Sequence, residues 1–461
     1  MPLNSIELQD VEIKRHSTDQ SIHSVIRTPQ SLSKSRVDVS SEVVAEGDAS
    51  TSNVTTPSQV PPRTRQQKMV AHVQFLALCW TMFLTGWNDA TIGPLLPRLR
   101  EVYGIGTAVV SLIFVFACLG FISGAVLNLY LSERMTLGKI LVFGSLCQVA
   151  AYCIKCSAPP FPVFFLAYSL TGVGLALQEA QANGFVARSK HGETKMGFLH
   201  AAYGVGAFAS PLVSTQFAQL PRWSFHFLTS LGISISNTAI LFLVFKLKDQ
   251  DDCLREAGET IPDGPTDDGQ GAFKKVLSMK VVHLIAIFIL IYVGVEVTIG
   301  GWIVSFIIEV RDGGPSAGYV SSGFFGGLAT GRVLLLWVNK KVGERRVLFI
   351  YAFLAIAFEL TVWFVPSLIQ NAVAVAIVGM LLGPMYPIVM NQTSRVLPRW
   401  ILTGAIGWIA GFGQAGSALL PFITGAIASS RGIKSLQPFV VSMMAFMMVL
   451  WALVPDSRRL D

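Results

Sequence analysis

Twelve runs of mostly apolar residues follow one another along this chain, at roughly 70–92, 107–131, 138–157, 162–186, 197–219, 224–246, 281–308, 317–338, 346–365, 370–392, 401–428 and 434–454. A membrane-spanning helix needs about 20 such residues. The expected fold is therefore an all-α membrane protein with twelve transmembrane helices. Composition agrees. Charged residues make up 14% of the 461 residues and mean hydropathy is +0.55, whereas soluble domains carry about 25% charged residues.

One long polar interruption, 247–279, divides the spans into two sets of six. The expected organisation is a tail (1–68), a six-helix bundle (69–246), a cytosolic linker loop (247–279), a second bundle (280–455) and a short tail (456–461). The first tail is rich in Ser, Thr, Val and Pro and has no apolar signal-peptide core. It is expected to be disordered, with serines and threonines open to kinases. Six cysteines show neither a disulfide framework nor zinc spacing, and the Cys153–Cys156 pair near a span end reads as coincidence.

Lys and Arg set the orientation. One side holds Arg63, Arg65 and Lys68, then Arg134 and Lys139, Arg188 to Lys195, Lys246 to Lys280, Lys340 to Arg346, Arg395 and Arg399, and Arg458 and Arg459. The other holds Arg98, Arg100, Lys155, Arg222, Arg311, Arg431 and Lys434. Both termini are expected in the cytosol, and the Asn53 and Asn391 sequons are then unused. The plasma membrane is the expected residence, ahead of the vacuole or another organelle.

The two sets echo each other. GFISGAVLNLYLSERMTLGKILVFG (120–144) and GFFGGLATGRVLLLWVNKKVGERRVLFIY (323–351) each run from a glycine-rich helix through a charged turn into an apolar helix. Parallel repeats of this kind resemble the major facilitator transporters over about 70–455. The resemblance implies two pseudo-symmetric halves that rock about a central cavity lined by helices 1, 4, 7 and 10. Glu133, Arg134, Arg332 and Arg345 are then the expected gating-turn charges. Gly120 and Gly124, Gly323, Gly327 and Gly331, Gly379 and Gly383, and Gly407 and Gly411 are small-residue pairs that let helices pack closely.

Ionisable residues at membrane depth are costly and mark functional sites by default. TGVGLALQEAQANGFVAR (171–188) carries Gln178, Glu179, Gln181 and Asn183 inside span 4, with Glu179 and Asn183 on one face. Span 1 carries Asp89, read as lying in its outer third, and span 7 carries Glu296 on a face with Tyr292. A carboxylate withdrawn from water can load and release a proton near neutral pH. Glu179, Asp89 and Glu296 are the proton-coupling candidates. The alternative for each is a plain ion pair with a bundle Arg or Lys. Glu359 in span 9 reads as structural, and His200 as either a proton relay or a structural histidine. His226 and His283 read as interfacial. Gly383-Pro384 and Pro387 break span 10 where backbone can line a cavity. Asn88, Asn183, Gln178, Tyr292, Trp302, Tyr386 and Gln414 are the candidate solute contacts, with Trp408 a stacking partner.

WNDATIGPLLPRL, GVGLALQEAQANGFV and YVGVEVTIGGW resemble the fucose-permease branch of the superfamily, particularly its fungal bypass-of-stop-codon type. The resemblance assigns proton coupling and sugar binding to Asp89 after Asn88 and to Glu179 before Asn183. Helix 5 departs from the branch, with small residues around Ala201 and Gly204, and so does the degenerate turn at Glu133-Arg134.

An enzyme or an ATP-driven pump is not expected. Gly326 and Gly331 have P-loop spacing but are followed by Arg332-Val333 inside a span. No cofactor, metal or nucleic-acid constellation is present. The expected partners are a small solute, protons and the lipid bilayer. The expected function is proton-coupled symport of a small polar solute, a sugar by resemblance. A proton antiporter exporting drugs or metabolites and a non-transporting nutrient sensor are the alternatives. The short C-terminal tail counts against the sensor.

Overall fold

The computed structural model describes residues 63–259 and 269–456. The tail up to residue 62, where kinase sites are expected, the linker segment 260–268 and residues 457–461 lie outside the described residues.

The helices are α1 (Arg65–Tyr103), α2 (Thr107–Ser132), α3 (Leu137–Cys156), α4 (Phe161–Arg188), α5 (Gly192–Ala218), α6 (Trp223–Phe245), α7 (Lys280–Arg311), α8 (Pro315–Leu334 with Leu336–Val342), α9 (Glu344–Phe364), α10 (Leu368–Val396), α11 (Arg399–Arg431) and α12 (Ile433–Leu453). Eleven of them are long and apolar enough to cross a membrane unbroken; α8 is bent by 51° and counts as a twelfth span. The expected twelve-span fold is thus present, and among the described residues there is no strand.

Helix α1 is longer than its apolar run. A capping box at Thr64 and Gln67 starts it in polar sequence, and Gly104 in the left-handed region ends it. Asp89 lies inside this 39-residue helix, close to its outer third. Backbones meet where side chains are missing. A Cβ on Gly86 would collide with the Tyr203 carbonyl, and one on Gly206 with the Phe83 carbonyl, so α1 and α5 touch reciprocally. The expected pairs Gly120 and Gly124, Gly327 and Gly331, and Gly379 and Gly383 likewise receive neighbouring backbone. Gly407 and Gly411 do not: both face open space.

The two halves meet at the end opposite the described chain termini. There Arg100 of α1 pairs with Glu309 of α7, Gln216 of α5 bonds the Tyr319 hydroxyl, and Gln219 donates to the Pro315 carbonyl at 2.8 Å. Gly93 of α1 lies against the Gly300 carbonyl of α7. At the terminus-bearing end, a Cβ added to Gly184 of α4, Gly197 of α5 or Gly407 and Gly411 of α11 would meet nothing within 4 Å. These glycine faces leave open space at that end.

The linker does not begin as plain loop. Residues Gln250–Glu256 form a helix whose flanks are stitched to the first half. Arg188 pairs with Asp251 at 2.9 Å, Gln74 donates to the Cys253 carbonyl at 3.1 Å, and Glu259 pairs with Arg63 and accepts from the Lys190 amide at 2.8 Å. Cys253, expected in an open polar loop, is 1% exposed, and burial pushes its thiol up to about 11.

The thiolate is the reactive form of cysteine. At pH 8, below the Cys253 value, the thiol keeps its proton. Cys253 is expected to resist maleimide in the folded protein and to label fully once the protein is denatured; mass spectrometry after labelling at pH 8 checks this, and rapid labelling of the folded protein would contradict the docked linker. Gly93→Leu is expected to wedge the closed end apart at a cost of about 1–3 kcal/mol. It should raise the labelling of a cysteine introduced at Thr215 and lower transport; unchanged accessibility would count against the Gly93–Gly300 contact as a closure point.

Candidate functional site

Side chains from both halves converge at mid-bundle. Asp89 is exposed although Asn88 and Ala90 on either side are buried. Its Oδ2 accepts from the Tyr203 hydroxyl at 3.0 Å and its Oδ1 from Asn88 Nδ2 at 3.3 Å. Two donors on one carboxylate fix its orientation. Asn88 is itself held, its Oδ1 accepting from the Tyr152 hydroxyl of α3 at 3.2 Å. Tyr203 escaped the sequence reading, which saw only small residues in that part of helix 5. The signal available was its helical spacing, one turn from His200.

Glu179 is half-buried on α4, and its charge acts on Asp89 and, across the gap, on Tyr386 of α10. Asn183, one turn along, has its Oδ1 buried with no hydrogen-bond partner among the described residues. From the second half, Glu296 of α7 lies 4.0 Å from Arg332 Nη2 of α8. Arg332 Nε also reaches the Gly383 carbonyl at 3.4 Å. That carbonyl stands at the break of α10, between Leu382 and Met385. Arg332 is therefore placed at the centre of the bundle and not at a gating turn, a correction to the sequence reading. His200 on α5 lies within the field of Arg332.

Other candidates fall elsewhere. Gln178 is fully buried between α3 and α4, donating to the Leu141 carbonyl at 3.1 Å and accepting from Gln148 at 2.6 Å. Gln181 turns to α2, donating to Asn128 at 2.7 Å. Trp302 is fully buried and donates to the Pro421 carbonyl at 3.0 Å, binding α7 to α11. Tyr292 is fully buried, donates to the Leu382 carbonyl at 3.1 Å and packs 6.3 Å from Tyr386. Tyr386 and Gln414 remain half-buried. Gln178 and Trp302 are thus not brought to the hollow, because each already spends its polar groups on a neighbouring helix.

Of the turn residues, Glu133 and Arg134 are exposed, with Arg134 over the Tyr130 ring at 3.8 Å. Arg345 donates to the Val454 carbonyl at 2.5 Å, tying α9 to the end of α12. In the second half the turn charge is carried by Glu344, which pairs with Arg395 at 2.8 Å. Glu359 is 1% exposed beside Gln437 of α12, away from the other acids. His226, read as interfacial, is fully buried and bonds Thr91 at 3.2 Å. Lys155, read as a loop charge, is also fully buried. A separate hollow of 530 Å³ at the closed end is lined by Arg98, Arg100, Thr215 and Glu309 and contains none of the three candidate acids.

A twelve-span bundle with polar groups converging between two halves is the architecture of a secondary transporter. The model of the Major Facilitator Superfamily matches residues 78–328 and 312–460, and the chain belongs to that family of transporters; it is not an enzyme. Bypass of stop codon protein 6 of Saccharomyces cerevisiae is 26% identical over 423 residues, covering 86% of this chain and 84% of that protein. The glucose/mannose transporter GlcP of Bacillus subtilis is 22% identical over 357 residues, covering 74% and 85%. In structure, the chain is similar to a D-xylose-proton symporter (TM-score 0.66, 14% identity, covering 84% and 98%). It is also similar to the fucose:proton symporter FucP of E. coli (TM-score 0.58, 16% identity, covering 85% and 100%). These likenesses agree with the superfamily and branch read from the sequence.

Removing a partner from a buried amide pair leaves an unmet group that costs about 1–3 kcal/mol. Gln178→Ala is expected to lower the melting temperature of the purified protein while leaving the half-saturating solute concentration unchanged. A raised half-saturation with an unchanged melting temperature would return Gln178 to the cavity wall.

Proposed function

We propose that this protein carries a small polar solute, a sugar, across the membrane by proton-coupled symport. The observation that carries the reading is the convergence of Asp89, Glu179 and Glu296 from three helices and both halves, with Tyr203, Arg332 and Tyr386 among them. Carboxylates that share one hollow with a single arginine repel one another, and binding a proton relieves that repulsion. Hydroxyl, amide and carboxylate groups around the same hollow suit a polyhydroxylated solute. The glucose and mannose of one relative and the D-xylose of a structural neighbour support that choice.

The two termini lie on the cytosolic side in this reading, following the excess of Lys and Arg there. The plasma membrane is the membrane of residence. The hollow then opens to the cytosol, and the arrangement is the inward-open state of an alternating-access cycle. Protonation of Glu179 accompanies solute, and Asp89 takes its proton when the opposite end is open. The halves 69–246 and 280–455 rock about the contacts at the closed end.

The test is uptake into proteoliposomes of a panel of radiolabelled monosaccharides under an imposed pH gradient, with Glu179→Gln alongside. The wild type is expected to accumulate at least one sugar only with the gradient. Glu179→Gln should lose accumulation yet keep solute exchange at equal pH. Accumulation that ignores both the gradient and the substitution would sink the coupling.

A further inference from the structure

Lys155 sits at the last turn of α3 and is wholly withdrawn from solvent. Its ammonium donates one hydrogen bond, to Thr171 Oγ1 at 2.9 Å. It lies over the rings of Tyr168 at 4.1 Å, Tyr152 at 4.4 Å and Phe227 at 5.3 Å. No carboxylate among the described residues stands within 4.0 Å of it. A buried cation held by one hydroxyl and three aromatic faces, with no acid beside it, is costly, and an apolar residue in its place is often neutral or better for stability. Packing therefore gives no reason for a lysine here.

What the cage does have is a path to Asp89. The Tyr152 ring is pinned under the ammonium, and its hydroxyl donates to Asn88 Oδ1. That bond fixes which end of the Asn88 amide faces Asp89, so the neighbouring Nδ2 donates to Asp89 Oδ1. Turned over, the amide would offer an oxygen to a carboxylate and repel its ionised form.

We propose that Lys155 is a positioning residue: through Tyr152 and Asn88 it sets the pH at which Asp89 exchanges its proton during transport. The proposal rests on the reading of Asp89 as a proton-coupling group. Other titratable groups around the pair are Glu179 on α4, Tyr203 on α5, Glu296 on α7 and Arg332 on α8, near Asp89, and Tyr168 on α4 and His226 on α6, near Lys155. The Asn88 amide is held from its oxygen end by the Tyr152 hydroxyl and from its nitrogen end by Asp89.

Loss of the cage frees the Tyr152 ring and with it the amide fixed against Asp89. Asp89 should then keep its proton to higher pH. The experiment measures gradient-driven sugar uptake in proteoliposomes across a pH series for wild type, Lys155→Met, Tyr152→Phe and Asp89→Asn, with melting temperature and equal-pH exchange as controls for folding. In Lys155→Met the pH midpoint of uptake is expected to rise by about one unit, the size of shift one such interaction gives. Tyr152→Phe keeps the ring under the ammonium and removes only the hydroxyl, so it should move the midpoint the same way even if Lys155→Met fails to fold. A wild-type midpoint unmoved in Tyr152→Phe, or unmoved in a folded and transporting Lys155→Met, overturns the proposal. A wild type with no midpoint, or one that survives Asp89→Asn, overturns the reading of Asp89 itself, and the two failures are told apart by the wild-type and Asp89→Asn curves.

Discussion

The seam between α1 and α5 is the contact on which the site depends. Gly86 receives the Tyr203 carbonyl and Gly206 receives the Phe83 carbonyl, so the two backbones touch where ordinary side chains would hold them apart. Because Tyr203 is the residue whose backbone fills the Gly86 notch, its ring projects along α1 to Asp89, one turn away. A larger residue at Gly86 or Gly206 would displace the tyrosine with the helix. In lipid such close packing substitutes for the hydrophobic drive that water supplies to soluble proteins. The seam therefore both assembles the first half and supplies a donor to Asp89.

The fold was legible because hydropathy counts spans without needing to know how they pack. The candidate site was legible only in part. Gln178 and Glu179 are neighbours in sequence and look equally polar, yet one is sealed against α3 and the other faces the second half. A helix turns by 100° per residue, and nothing local tells which direction is the hollow. Lys155 was misplaced because it precedes a proline-rich turn, the usual place for a loop charge; the rings that enclose it come from α3 itself, α4 and α6. Arg332 was misplaced for a related reason. Its sequence suggests a helix end, but its partners are Glu296 and the carbonyl left open by the break in α10, both remote in the chain.

The break in α10 also explains how one arginine can serve a site with three acids. Pro387 has no N–H to give the carbonyl four residues back, so the Gly383 acceptor is left near mid-bundle. Arg332 divides its donors between that carbonyl and Glu296. Neither contact is short, and the guanidinium keeps part of its surface exposed. A cation held this loosely can follow a change in charge on the acids without unfolding anything around it.

The clasp at the closed end has a different character from the seam. Arg100 and Glu309 are partly exposed, at 25% and 38%, and a pair of that kind contributes about 0–1 kcal/mol and weakens as salt screens it. Shifting a two-state balance by about 1 kcal/mol changes the ratio of its states roughly fivefold. The ionic strength of the medium bathing that end thus becomes a dial on how firmly the two halves hold together there.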